Sequence, residues 1–185
     1  DPPMMPPPRC RAWLRRAAAL CLLLAGGVAA ADAPAAPNWV PIDGRITTSG
    51  QPNPARLAEL GALGFDAVLY LAPPTVSDAV ADEARIVARQ GLLFMNLPIP
   101  FDAPTVEQAQ TVLDLLRLLA DRRVLVHCQV NLRASTMVFL YRAIVRREDP
   151  ATAYEAVRQV WTPSGPWRRL MDEMLRRHGI RFEPL

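Results

Sequence analysis

Between Trp39 and Val126, short apolar runs of strand character alternate with segments of helical periodicity, and this alternation constrains the fold more than any other feature of the chain. Trp39 to Thr48 supplies a strand. Asn53-Pro54 opens a helix that runs through Leu63, because Asn accepts free N–H groups at an N-cap and Pro fits a first turn. Phe65 to Leu71 is strand-like and ends at Pro73-Pro74. Asp78 to Gln90 reads as a helix stopped by Gly91, Leu92 to Leu97 as the next strand, and Thr105 with Gln108 as a capping box for a helix reaching Ala120. Val124-Leu125-Val126 is a further strand, and Ala134 to Arg147, Pro150 to Val160 and Pro166 to His178 are helical. Such an order predicts an α/β domain with a central parallel or mixed sheet covered by helices on both faces. Ligands in these folds sit at the carboxyl ends of the strands.

The loop from His127 to Arg133 falls at one of those ends, followed by a helix with Met137, Leu140, Tyr141 and Ile144 at helical spacing. Unpaired N–H groups and the positive end of the helix dipole gather at the helix start. They favour a bound oxyanion there and negative charge on the Cys128 sulfur. Arg133 is a cation where the dipole opposes one, so its presence calls for an anion, and its planar fork suits two oxygens of a phosphate. Gln129, Val130, Asn131 and Leu132 complete the candidate cradle, with Asn131 a residue that tolerates positive φ.

Composition limits where that thiol works. Arg9, Arg11, Arg15 and Arg16 precede the apolar run Ala17 to Gly27, and Ala29, Ala31 and Ala33 offer small-residue cleavage positions. This is the pattern of a bacterial secretory signal, expected over 1–33, with Met4 or Met5 as its start and a linker at 34–38. The apolar run is too short for a comfortable membrane span. Cys10 and Cys21 belong to the leader, so the mature chain, expected in the periplasm or secreted, keeps Cys128 alone and forms no internal disulfide. With the four leader arginines and Asp1 and Asp32 removed from 21 basic and 18 acidic residues, the charges nearly balance. Nothing points to nucleic acid or, once the signal is cleaved, to membrane. The remaining 39–185 suits one domain with a real core. His127 and His178 lie far apart and no metal-ligand cluster is visible, so no metal and no cofactor is expected.

His127-Cys128 to Arg133-Ala134-Ser135, with Thr48-Ser49-Gly50-Gln51-Pro52, Leu71-Ala72-Pro73-Pro74 and Pro100-Phe101-Asp102-Ala103-Pro104, resembles the bacterial protein tyrosine phosphatase family. The likeness is to the phosphatase-like domain of beta-lactamase-hydrolase-like proteins and extends from Trp39 to Arg177. It implies a dual-specificity-phosphatase-like fold and a thiolate nucleophile, a phosphoryl-clamping Arg, a hydroxyl after that Arg and an Asp acid on a separate loop. By position these are Cys128, Arg133, Ser135 and Asp102, with His127 orienting the loop. The implied substrate is a phosphorylated protein or a small phosphate ester, cleaved through a phosphocysteine.

The resemblance is imperfect at its centre. Phosphatases of this type usually place five residues between Cys and Arg, whereas four intervene here, so Ala134 occupies the expected Arg position. Moving Arg by one residue turns its side chain by about 100° around a helix axis. Either Arg133 misses the phosphate or a tighter loop restores the clamp. A six-residue Cys-led loop also resembles that of rhodanese-type sulfurtransferases, which carry sulfur as a persulfide. A phosphate-binding module without turnover is the third reading.

Overall fold

The computed structural model describes residues 35–184. The leader expected over 1–33, with Cys10 and Cys21, lies outside them. The core is a mixed sheet of β1 (Val40–Pro41), β2 (Ile46–Ser49), β3 (Ala67–Tyr70), β4 (Leu93–Asn96) and β5 (Val124–His127), in the order β1-β2-β5-β3-β4. β1 runs antiparallel to β2, and the other pairings are parallel. Side chains alternate across the sheet as the strand period of two requires. Val68 and Leu125 face α1 (Pro54–Glu59) and α2 (Glu83–Ala88) with Leu57, Leu60 and Val87. Ala67, Leu69, Val124 and Val126 face the larger layer of α3 (Val106–Leu118), α4 (Leu132–Leu140), α5 (Pro150–Arg158) and α6 (Gly165–Arg177). The expected single α/β domain with a helix-flanked mixed sheet is what forms.

Several elements follow from local chemistry. Asn53 accepts from the Arg56 N–H with Pro54 in the first turn of α1, and Asp149 caps α5 the same way ahead of Pro150. Both halves of the Thr105/Gln108 capping box are made. α6 ends at His178, where Gly179 at φ 67° lets the Ile180 N–H return to the Leu175 carbonyl.

Other boundaries differ from the sequence expectation. The Trp39 to Thr48 strand is two short strands, because Asp43 accepts the N–H groups of Arg45 and Ile46 and folds the chain back as a hairpin. The helix expected from Asp78 begins only at Glu83. Before it the chain makes isolated turns, Ala79 N–H to Val76 and Glu83 N–H to Val80, while Asp78 is engaged by Gln129. The helix through Leu63 stops being regular after Glu59 and closes at Gly64, φ 87°. The segment expected as one helix from Ala134 to Arg147 starts at Leu132 and loosens into a π-helical turn, Tyr141–Val145. Residues 35–38, expected within the linker, are packed on the domain: Gly50 N–H donates to the Pro37 carbonyl and Asn53 N–H to that of Ala35.

Candidate active site

β5 is the central strand, flanked by β2 and β3, so its carboxyl end opens between two parallel neighbours with Ser49 and Tyr70 opposite His127. Chain geometry then forces a turn. Asn131 sits at φ 72°, the left-handed conformation its sequence position anticipated, and α4 begins one residue later. The loop is held from behind. Cys128 N–H donates to Ser49, Gln51 N–H to the Gln129 carbonyl, Asn38 Nδ2 to the Val130 carbonyl, and Asn131 Nδ2 to the Asn38 carbonyl and Thr48 Oγ1. A Cβ on Gly50 would lie 2.5 Å from the Gln129 oxygen, so only glycine permits this backbone approach. The segment at 35–38 therefore braces the loop.

Among the described residues, no acceptor faces the N–H groups of Gln129, Val130, Leu132 and Arg133. Those donors sit at the start of a nine-residue helix, where the dipole adds to their pull on an anion. Arg133 is 4% exposed; its Nε donates to the Ile99 carbonyl at 2.9 Å, its Nη1 reaches Gln129 Oε1 at 3.4 Å, and its guanidinium lies over the Phe101 ring. Nη2 has no partner among the described residues. Ala134 is fully buried in the core. The tighter loop thus turns Arg133, rather than Ala134, onto the wall of a cavity of about 330 Å³ lined also by Ser77, Asp78, Phe101, Gln129, Val130 and Leu132.

Cys128 is fully buried at the base of this loop, outside the cavity lining, and is a free thiol. His127 precedes it as a structural anchor. Its ring stacks on Tyr70 at 4.6 Å, Nδ1 lies 3.3 Å from the Cys128 carbonyl and Nε2 lies 2.5 Å from Glu83 Oε1. The other Glu83 oxygen accepts from Gln51 Nε2. The sequence reading missed Glu83. Its spacing from buried Val87, one helical turn on, was the signal that this glutamate faces inward. Tyr70 carries the electrostatic imprint of the site. Its phenol is pushed up to about 12 by burial first, then by the charges of Glu83 and Asp78, with Arg133 opposing and Cys128 adding.

Two further residues were nominated from the sequence, Ser135 and Asp102. Ser135 is buried and its hydroxyl donates to the Leu132 carbonyl at 3.2 Å. Asp102 is exposed and lines a separate depression with Arg169 and Glu173, while the neighbouring Phe101 faces the cavity. Trp167, fully buried, donates from Nε1 to the Phe101 carbonyl, and Trp161 packs on the Phe101 ring. These tryptophans pin α6 to the body and also fix the loop after β4.

No protein-family profile matches the sequence, and no curated protein sequence matches it. Solved structures do. A DUF442 protein from Shewanella putrefaciens CN-32, described provisionally as a phosphatase, is 25% identical, with TM-score 0.71 over 78% of this chain and 92% of its own. Tk-PTP in its active form is 28% identical, with TM-score 0.65 over 76% and 98%. TpbA of P. aeruginosa is 21% identical, with TM-score 0.57 over 78% and 91%, a likeness of fold. The chain has the fold shared by protein tyrosine and dual-specificity phosphatases, and the first two of these neighbours support its assignment as an enzyme of the hydrolase class with a phosphatase function.

Proposed function

We propose that this protein is a cysteine-dependent phosphatase that hydrolyses a phosphate monoester of a protein or a small aryl alcohol through a phosphocysteine on Cys128. The observation that carries the reading is the loop itself. Gln129, Val130 and Leu132, which carry free N–H groups at the α4 N-terminus, line one cavity together with Arg133, and Cys128 begins the same loop. Phosphoryl transfer asks a protein chiefly for positioning and for charge stabilisation on three oxygens, and this is the set of groups that supplies it.

In the first displacement the Cys128 thiolate attacks phosphorus as the ester P–O bond breaks, and a carboxylic acid protonates the departing oxygen. In the second, water attacks phosphorus, gives its proton to that carboxylate, and the S–P bond breaks. Loop N–H groups and Arg133 hold the equatorial oxygens in both. His127 presents the Cys128 backbone, and Ser135 is the hydroxyl nearest in sequence to assist the sulfur as it leaves. The sequence nominates Asp102 as the acid. The cavity rim carries Phe101 and Val130, 40% and 44% exposed, and Arg133 is the single cationic wall residue among the described residues. That lining suits one phosphate on an apolar or aromatic group better than a polyphosphate. The signal pattern read from the sequence supports a reaction in the periplasm or outside the cell.

Phosphate release from 4-nitrophenyl phosphate by the leaderless protein between pH 5 and 8 is the test. Cys128→Ser is expected to abolish turnover, and Arg133→Lys, which cannot make the fork, to lower it about 100-fold. Folded wild-type protein that releases no phosphate, yet gains one sulfur atom on Cys128 from thiosulfate, would move the reading to sulfur transfer. The similarity to phosphatases argues against that second outcome.

A further inference from the structure

Two carboxylates stand near the loop, and the sheet order separates them. Asp78 follows β3, which pairs directly with β5, whereas Asp102 follows β4, one strand further from Cys128. One strand spacing is about 4.8 Å, more than the length of a hydrogen bond, so the loop after β3 starts closer to the sulfur. Asp78 lines the cavity that Arg133 lines, and Asp102 lines a different one. Gln129 Nε2 donates to Asp78 Oδ1 at 3.0 Å while Gln129 Oε1 takes Arg133 Nη1, so one side chain of the phosphate loop ties Asp78 to the clamp. Asp78 Oδ2 has no partner among the described residues. The loop that holds Asp102 is fastened at the Ile99 carbonyl by Arg133 and at the Phe101 carbonyl by Trp167.

Resting on the phosphatase reading above, we propose that Asp78 is the general acid and base of the reaction. Protonated Asp78 gives its proton to the leaving oxygen as the S–P bond forms and the ester P–O bond breaks. The resulting carboxylate takes a proton from the attacking water as the S–P bond breaks and phosphate departs. Gln129 is a positioning residue that aims Asp78 and Arg133 at the same phosphoryl group. The expectation that Asp102 serves as the acid passes to Asp78 on these grounds.

A general acid matters most when the leaving group is poor, so the test compares phenyl phosphate with 4-nitrophenyl phosphate. Asp78→Asn is expected to cut kcat about 100-fold on phenyl phosphate and about 10-fold or less on the nitrophenyl ester. Asp78→Glu, which keeps a proton donor, is expected to recover part of the phenyl phosphate rate. Asp102→Asn is expected to lower both rates by the same small factor. Overturning results are a leaving-group dependence in Asp78→Asn equal to wild type, or that signature appearing in Asp102→Asn instead. If neither ester releases phosphate in a Cys128-dependent way, the phosphatase reading fails, and the assignment of Asp78 fails with it.

Discussion

Glu83 is a buried carboxylate with its two oxygens committed to His127 and Gln51, residues that flank the loop on two strand ends. Removing one partner of a buried pair leaves the other without its counter-group, which costs about 3 kcal/mol. Glu83→Ala is therefore expected to lower stability by about that amount in urea unfolding. Glu83→Gln, which keeps one acceptor oxygen and the side-chain volume, loses less. Gly50→Ala works differently. Its Cβ would meet the Gln129 oxygen at 2.5 Å and the Val130 Cα at 2.9 Å, so the loop backbone must move. A displacement of about 1 Å at reacting groups costs about 100-fold in rate, and kcat of this variant is expected to fall on that scale while its circular dichroism stays native. Asn131 was legible in the sequence as a left-handed residue because that preference is its own. Glu83 was missed, because its partner lies 44 positions away on another element.

At the scale of elements, the β1–β2 hairpin is fastened to the end of the π-helical turn by Asp43 and Arg146. Burial pushes the Asp43 carboxyl up, but Arg146 and the N–H groups of Ile46 and Arg45 outweigh it and hold it below its usual 3.8. A carboxyl depressed in the folded state contributes stability that is full above its unfolded value and is lost as pH falls through its folded value. The pair is partly exposed, so screening limits it to about 1 kcal/mol. Asp43→Asn is expected to be less stable than wild type by about that much at pH 7, the gap closing below the usual carboxylate range, as followed by thermal melts across pH. Caps and turns of this kind are short-range, which is why Asn53 and the Thr105/Gln108 box could be read directly. The start of α2 could not, because Asp78 is drawn away by a side chain from the loop after β5.

Across the whole molecule, the proposed anion site is assembled from stretches distant in sequence: 35–38 and Thr48 to Gln51 behind the loop, Asp78 and Ile99 to Phe101 beside it, and Arg133 within it. A ligand that binds only this assembled state stabilises it, by about 2.7 kcal/mol at 100 times its dissociation constant. Inorganic phosphate is expected to raise Tm of wild type and of Cys128→Ser, and to leave Arg133→Ala unmoved, in scanning calorimetry at constant ionic strength. The alternation of strands and helices, the caps, the tolerance of Asn131 for positive φ, and a thiol with an arginine at a helix start were all readable along the chain. Each of these depends on residues within a few positions of one another. Tertiary structure decided that β5 lies between β2 and β3, that the short loop turns Arg133 into the cavity and Ala134 into the core, that Glu83 meets His127, and that Asp78 rather than Asp102 shares the cavity with the clamp. Those outcomes follow from which strands pair, and strand pairing is settled by burial of the whole sheet between its helix layers rather than by any one segment.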